Sequence, residues 1–403
     1  MKAVTHPGVP PVAAALGGNV LFATGLIFHA FLYNFYLEAL HLSPQVMGHA
    51  VAALTGGGLL ALLPAGVFTD RAGPRTTAAA GAGVLAIGLA LGAIAAAPVA
   101  IYSAAALAGA GSALWRVATA PILMRVTEPR SRTRAFAWNV GLLVAWGGAG
   151  TAAAGAASHW LEVGGGLDRL SALRVTLLIG AAASAMSLPL FRSLRLGAAP
   201  EAARGPATAA SGGSIHPASA RALLPLVGLV GLWMVGPAIA APFLNIYFSR
   251  VHGVAIERIA FVFAAASWCW ALAVIGSGEV ARRVGVRRLL LATPLFFAPA
   301  MWGLSAAGSM GLAVALYTMQ GLIAPVMNPL VDQWLLARTP PERQGTVSSW
   351  RQVAADASAM AGASLGGQVL AGAGFPALFL VAGGIGLVGA AGLVGCVVRQ
   401  PRA

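Results

Sequence analysis

A few polar side chains interrupt the long apolar stretches of this 403-residue sequence, and their types and spacing could support binding or proton transfer. His29 and Tyr33 lie one helical turn apart on one face, with Asn34 and Glu38 on a neighbouring face. Because histidine changes charge near neutral pH, His29 suits a proton or ligand site, and a hydrogen-bonded packing histidine would show the same pattern. Glu38 lies close to the end of its apolar stretch, where an acid is either interfacial or functional.

A second polar stripe surrounds an arginine. Ser112, Arg116 and Thr119 follow the i, i+4, i+7 spacing of one helical face. A charged side chain at the centre of a membrane helix costs roughly 2.5–3.5 kcal/mol, so Arg116 needs a partner or must snorkel towards the surface. We expect Arg116 to bind an anion or to pair with an acid.

The C-terminal half also carries polar residues within apolar stretches. They are Asn245, Gln320, Asn328 and Asp332. Asn328 and Asp332 share a helical face with Gly321, and Asp332 is expected to pair with Arg116 when an inner gate is shut. Another group is Arg351, Gln352 and Asp356, for which a structural pairing is favoured over a role in binding.

The elements that hold these side chains are predicted to be membrane helices. The chain is 58% hydrophobic and only 9% charged, whereas soluble proteins carry roughly 25% charged residues. Twelve stretches are long and apolar enough to span a bilayer. The twelve predicted spans are 17–40, 45–68, 76–96, 99–123, 135–160, 171–193, 222–248, 255–277, 288–308, 311–336, 346–372 and 376–398.

Residues 194–220 are rich in Ala, Gly, Ser and Pro and are predicted to form a flexible linker. The chain is therefore expected to consist of a six-helix bundle at 1–193, a linker at 194–220 and a second six-helix bundle at 221–403. Of the 25 basic residues, nineteen fall on the side of the termini and four on the far side. Because cytoplasmic loops are enriched in Lys and Arg, both termini and the linker are predicted to be cytoplasmic. The net charge of +14 then reflects topology and not a nucleic-acid surface.

An internal repeat relates the two halves. A shift of 212 residues places Phe31–Tyr36 on Phe243–Phe248 and Thr127, Pro129 and Trp138 on Thr339, Pro341 and Trp350. It also places Gly66, Arg71, Gly73 and Arg75 on Gly278, Arg283, Gly285 and Arg287. Trp, Pro and Arg matches at one unbroken offset indicate a duplicated six-span unit.

Twelve spans in two parallel halves, a cytoplasmic linker and the pattern G-x-x-x-D-R-x-G-x-R after the second span resemble the major facilitator superfamily. The pattern consists of Gly66, Asp70, Arg71, Gly73 and Arg75. Pro74 stands where a basic residue is usual, and the second copy has Arg282 where the acid would be. The resemblance implies an all-α integral membrane fold of twelve transmembrane helices in two pseudo-symmetric six-helix bundles.

The resemblance also implies where function is located. Spans 1, 4, 7 and 10 would line a cavity, so the predicted substrate-binding residues are His29, Tyr33, Asn34, Ser112, Arg116, Thr119, Asn245, Gln320 and Asn328. The loop acid would close the cytoplasmic side by approaching the start of span 11, so the predicted gating residues are Gly66, Asp70, Arg71, Gly73, Arg75 and Arg351. The proton-coupling candidates are His29, Glu38 and Asp332.

The predicted function is secondary active transport of a small organic solute across the cytoplasmic membrane by alternating access. Proton coupling is plausible and efflux is favoured, although span five lacks the proline of the G-x-x-x-G-P-x-x-G-G pattern that drug–proton antiporters share. A facilitated-diffusion uniporter and a non-transporting sensor with a transporter fold stay open as alternatives.

Other function classes lack their motifs. The sequence has no G-x-x-x-x-G-K-[ST] loop for nucleotide, and neither H-E-x-x-H nor G-x-S-x-G for catalysis. We therefore expect no enzyme activity, no cofactor and no metal. The expected partners are the solute, protons and the lipid bilayer, without nucleic acid, and the protein is expected to be a monomer in the inner membrane with multiple passes.

Overall fold

The computed structural model describes residues 11–128, 130–196, 217–285, 288–289, 293–336, 339 and 344–399. Within these ranges, side chains are described except at 217–226, 277–278, 293–294, 324–325, 328–329, 333–336, 345–346 and 396–399. The linker predicted at 194–220 lies largely outside the described residues. All regular structure in the described ranges is helical, as an all-α fold requires.

The chain divides into two compact units, of which the first comprises Met1–Tyr33 and Gly57–Ala207. The helices that begin in the N-terminal half are α1 (Pro11–Ala39), α2 (Pro44–Ala72), α3 (Pro74–Ile94), α4 (Pro98–Val126), α5 (Arg132–Val163) and α6 (Arg169–Ser193). Four of them begin at a proline, which suits the first helical position because its missing N–H would have no partner there. Asp168 caps α6 by accepting a hydrogen bond from the Ser171 backbone N–H at 3.1 Å.

Small residues let the helices of this unit approach closely. A β-carbon on Gly81 would lie 2.9 Å from the carbonyl oxygen of Gly111, and one on Gly88 would lie 2.8 Å from the Ala108 Cα. Both contacts join α3 to α4. Backbone contacts of this kind are typical of membrane helices, where apolar area alone gives no drive for association.

The second unit comprises Asn34–Gly56 and Thr208–Ala403, so it includes the end of α1 and the start of α2. Its other helices are α7 (Pro217–Ala240), α8 (Leu244–His252), α9 (Ile256–Val284), α10 (Phe297–Ser305), α11 (Met310–Leu336) and α12 (Gln344–Arg399). Short 3-10 turns at Ala241–Phe243 and Thr293–Phe296 precede α8 and α10. The bundle limits predicted at 193 and 221 follow the repeat and not these contact units, and they stay a prediction.

The longest helix contains a break that the sequence predicts. Gly374 inside α12 has φ 75° and ψ −175°, and Pro376 follows it. This position separates the predicted spans 346–372 and 376–398. Glycine reaches such a backbone conformation without the steric cost that a β-carbon would add.

The backbone repeats its special conformations at the predicted offset. Gly73 and Gly285, which are 212 residues apart, have φ of 82° and 93°. His41 and Gly253, at the same separation, have φ of 57° and 63°. The turns after the first two helices of each repeat are therefore built alike.

Nine helical stretches of the described residues are long and apolar enough to cross a membrane. One of them, Val347–Gly395, is 49 residues long and contains the break at Gly374. The shorter apolar helix Met310–Ile323 adds to these. The described stretches agree with a multi-pass membrane protein, and the number of twelve stays a prediction.

Candidate functional site

The first predicted site residues lie on α1. The His29 and Tyr33 rings stack with centroids 4.0 Å apart. The Tyr33 hydroxyl donates to the Gly92 carbonyl oxygen of α3 at 3.3 Å, and its side chain is buried. His29 is half-buried, so the structure brings these two residues together with Tyr33 anchored in the helix packing.

The side chains of Asn34 and Asn245 form hydrogen bonds with backbone groups close to Pro242. The Asn34 side-chain amide donates to the Pro242 carbonyl oxygen at 2.5 Å. The Asn245 amide oxygen accepts from the Ile246 backbone N–H at 2.9 Å. Both side chains are buried, and both satisfy backbone groups where the 3-10 turn at Pro242 interrupts the helical ladder.

Arg116 lies on α4 with an exposed side chain, and Ser112 and Thr119 beside it are half-buried. A β-carbon on Gly58 of α2 would lie 3.4 Å from an Arg116 guanidinium nitrogen and 3.3 Å from the Gly109 carbonyl oxygen. The Thr119 hydroxyl donates to the Trp115 carbonyl oxygen at 2.8 Å. Gly58 therefore leaves the space that the guanidinium occupies against α2.

The second repeat fills the equivalent place differently. The 212-residue shift relates Gly58 to Trp270 and Gly109 to Gly321. The Trp270 indole packs on Gly321 so closely that a β-carbon there would overlap the ring, and its N–H donates to the Thr318 carbonyl oxygen at 2.9 Å. The first repeat thus has an arginine beside a glycine where the second has an indole.

A buried polar network in the first unit is not among the predicted site residues. The Asn19 amide donates to the Asn139 side-chain oxygen at 2.7 Å, and the Trp115 indole N–H donates to the Asn19 oxygen at 2.7 Å. Phe22 stacks on Trp115 with ring centroids 4.6 Å apart. Buried amides that bond each other tie α1, α4 and α5 together.

A second pair in that unit repeats the arrangement one turn further along α1. The Trp146 indole N–H of α5 donates to the Thr24 hydroxyl oxygen at 2.9 Å, and Thr24 is buried. Asparagines in an apolar stretch are the signal that could have revealed this network, since each needs a partner in lipid.

On α11, Gln320 is half-buried and Asn328 falls among the residues whose side chains lie outside the described set. Asp332 forms an ion pair with Arg351 of α12. Gln352 donates to Asp356 at 3.0 Å one turn further on. The pairing of Asp332 with Arg116 in a closed gate and the meeting of Asp70 with α12 both stay predictions.

The residues of the predicted gating loop lie at the end of α2 and the start of α3. Asp70 and Arg71 are exposed, Gly66 has open space around it, and Gly73 has positive φ directly before Pro74. Arg75 donates to the Leu194 carbonyl oxygen at 3.4 Å. A cleft of about 800 Å³ separates the loop from α4, lined by Thr69, Asp70, Arg71, Ala72, Gly73, Pro74, Ala120, Pro121, Met124 and Arg125.

Glu38 lies at the end of α1 and pairs with Arg250 at the end of α8. Glu38 Oε1 is 2.5 Å from Arg250 Nε, and the two side chains are 21% and 42% exposed. This partner is not among the predicted site residues. Within the described residues, no three His, Cys, Asp or Glu side chains are grouped as a metal site needs.

Comparisons with known proteins bear on this geometry. The family model described as Major Facilitator Superfamily matches residues 15–237 and 226–403. No curated protein matches the sequence. The fold resembles several solved structures, all at low identity.

The nucleoside transporter NupG is 14% identical, with a TM-score of 0.75 over 97% of this chain and 99% of that one. A bacterial homolog of the human lysosomal transporter Spinster, inward-facing and unoccupied, is 14% identical, with a TM-score of 0.76 over 98% and 100%. A bacterial homologue of the iron transporter ferroportin, inward-facing, is 14% identical, with a TM-score of 0.71 over 96% and 99%. Identity at this level shows a shared fold alone.

Proposed function

The chain belongs to the Major Facilitator Superfamily, and from this premise we propose that it moves a small organic solute across the cytoplasmic membrane by alternating access. It is a multi-pass membrane transporter and not an enzyme. Both termini are cytoplasmic in this proposal, and efflux is the favoured direction.

The observation that carries the proposed substrate class is the position of Arg116. Its side chain is exposed on α4, and its guanidinium lies against the backbone at Gly58. A planar guanidinium is suited to bind carboxylate or phosphate through two parallel hydrogen bonds. The solute is therefore an organic anion or carries an anionic group.

Among the three proton-coupling candidates, His29 is favoured. Glu38 and Asp332 are both engaged in ion pairs with arginines. His29 stacks on the anchored ring of Tyr33 and keeps part of its surface accessible. We propose His29 as the coupling group because an imidazole can carry a proton at either ring nitrogen.

A liposome experiment tests this function. The purified protein is reconstituted and offered a panel of organic carboxylates and nucleosides, with and without a pH gradient. Nucleosides are included because a solved nucleoside transporter shares the fold. We expect flux of anionic members under the gradient, at least tenfold less flux in Arg116→Ala, and loss of the gradient dependence in His29→Gln.

The matched control is Arg258→Gln, which removes an exposed arginine at the start of α9. Its flux should equal that of the parent protein. Flux without any dependence on the gradient would favour the uniporter. Binding without flux would favour the sensor, and full activity of Arg116→Ala would exclude the proposed anion site.

A further inference from the structure

The ion pair between Glu38 and Arg250 joins two equivalent positions of the internal repeat. The two residues are 212 positions apart, which is the repeat offset, and they carry opposite charges. In parallel repeats related by a twofold axis, equivalent positions can touch only close to that axis. Identical charges at two touching positions would repel each other. The two repeats carry opposite charges at this position, so the two side chains attract.

A second contact lies one turn deeper on the same face of α1. Asn34 is four residues before Glu38 and donates to the Pro242 carbonyl oxygen at 2.5 Å. The start of α2 adds a backbone contact, since a β-carbon on Gly367 of α12 would lie 2.5 Å from the Pro44 carbonyl oxygen. The α1–α2 turn is thus held to the C-terminal repeat at three places, all within the second unit.

The ion pair is the contact among these that can open most readily. The Glu38 and Arg250 side chains are partly exposed, and pairs of this kind contribute little free energy because water competes for both charges. The pair is also directional, since it requires the two helix ends to be side by side. It can therefore form and separate repeatedly without unfolding either helix.

We propose that Glu38 and Arg250 form a reversible latch that closes the membrane side opposite the termini. The pair holds the ends of α1 and α8 together in the closed state and separates when that side opens. This inference rests on the alternating-access function proposed above. It assigns Arg250 a role as a positioning residue and makes Glu38 a gating residue in place of a proton carrier.

A cysteine reporter tests the latch without a substrate. Ala30 is exposed and lies on the same face of α1, one and two turns deeper than Asn34 and Glu38. Ala30→Cys is introduced after Cys269 and Cys396 have been changed to serine. The rate of labelling by a membrane-impermeant cationic methanethiosulfonate is measured from the side opposite the termini.

We expect Glu38→Gln and Arg250→Gln each to speed labelling about fivefold, the factor that loss of a partly exposed ion pair allows. The exchanged pair Glu38→Arg/Arg250→Glu should return the rate to within about twofold of the parent, because it restores the attraction. The matched control Arg258→Gln removes a positive charge at the same end and should leave the rate unchanged.

Single variants that label like the parent would overturn the latch, and so would an exchanged pair that labels faster than both single variants. If a single variant does not fold, Glu38→Cys/Arg250→Cys joined by a short bifunctional crosslinker replaces it, with hydrogen exchange at residues 40–43 as the readout. Crosslinking should slow this exchange, and unchanged exchange would contradict the proposal. If the expected labelling rates are found but no variant shows flux, the proposed transport function is rejected and the latch is supported.

Discussion

Asp332 and Arg351 connect α11 to α12 through an ion pair inside the second unit. The equivalent positions of the first repeat hold Ala120 and Asn139, and Asn139 bonds Asn19 instead. At these equivalent positions the second repeat therefore joins its helices by an ion pair, and the first repeat joins its helices by a hydrogen bond between amides. This difference gives each repeat its own sensitivity to mutation.

Removing one member of the Asp332–Arg351 pair should destabilise the protein. The Arg351 side chain is 17% exposed and that of Asp332 is 39% exposed, so the cost lies between those of surface and buried pairs, at about 1–3 kcal/mol. Thermal unfolding in detergent is measured for Arg351→Gln, Asp332→Asn and the double variant. The three values together give the coupling free energy between the two side chains. The exposed pair of Arg283 with Glu279 is the control and should show almost none; equal coupling in both pairs would contradict this expectation.

The amide network should respond in a characteristic way to leucine. Asn19→Leu leaves the Asn139 amide and the Trp115 indole N–H without their partner, which costs about 1–3 kcal/mol for groups that stay unsatisfied. Adding Asn139→Leu removes one of these orphaned groups, so the double variant should be more stable than Asn19→Leu alone. Thermal unfolding checks the order, and a double variant that is less stable than the single variant would disprove the coupling.

A large side chain at Gly58 should displace Arg116. A leucine there would meet the guanidinium and the Gly109 carbonyl, and overpacking of this kind costs roughly 1–3 kcal/mol. Gly147→Leu in α5 is the control because a β-carbon at Gly147 has nothing within 4 Å. Gly58→Leu should lower both thermal stability and the affinity for an anionic ligand found in the panel, whereas Gly147→Leu should lower neither.

Acid should weaken the cap of α6. Hydrogen bonds from the side chain and backbone of Ser171 lower the pKa of the Asp168 carboxyl below its usual value. A lowered pKa contributes stability above the unfolded value and loses it as the pH falls through the folded value. Asp168→Asn keeps a capping oxygen without the charge, so its melting temperature relative to the parent should rise between pH 5 and pH 3; a constant difference would contradict this.

Much of the fold follows from the sequence because it depends on composition and period. The repeat offset predicts that Gly73 and Gly285 share a backbone conformation, which the φ angles confirm. The break between the last two spans falls where Gly374 and Pro376 indicate. Both features are local consequences of residues that favour particular backbone angles.

The contacts of the site residues could not be predicted in the same way. Helical spacing tells which residues share a face, but it does not tell which helix that face meets. Tyr33 and Asn245 share faces with candidate site residues, and their side chains bond the backbone. The repeat offset identifies Arg250 as the position equivalent to Glu38. It does not by itself show that these two equivalent residues are in contact.

Asp70, the exposed acid of the predicted gating loop, should control the opening of the cytoplasmic side. Asp70 lines the cleft beside α4, and an acid of this kind is favourable near the positive N-terminal end of a helix. If it binds the start of α12 when the cytoplasmic side closes, Asp70→Asn should stay folded, transport poorly and accumulate in the inward-open state. Cysteine accessibility from the cytoplasmic side and flux in liposomes measure this.

The matched control is Glu128→Gln, which removes another exposed acid at the end of α4 and should change neither readout. Arg351 gives a second comparison. If Arg351, near the same helix start, is the group that Asp70 approaches, Arg351→Gln should enrich the inward-open state as Asp70→Asn does. Unchanged accessibility in Arg351→Gln would show that Asp70 and Arg351 act in separate places, and unchanged flux and accessibility in Asp70→Asn would remove the gate from this loop.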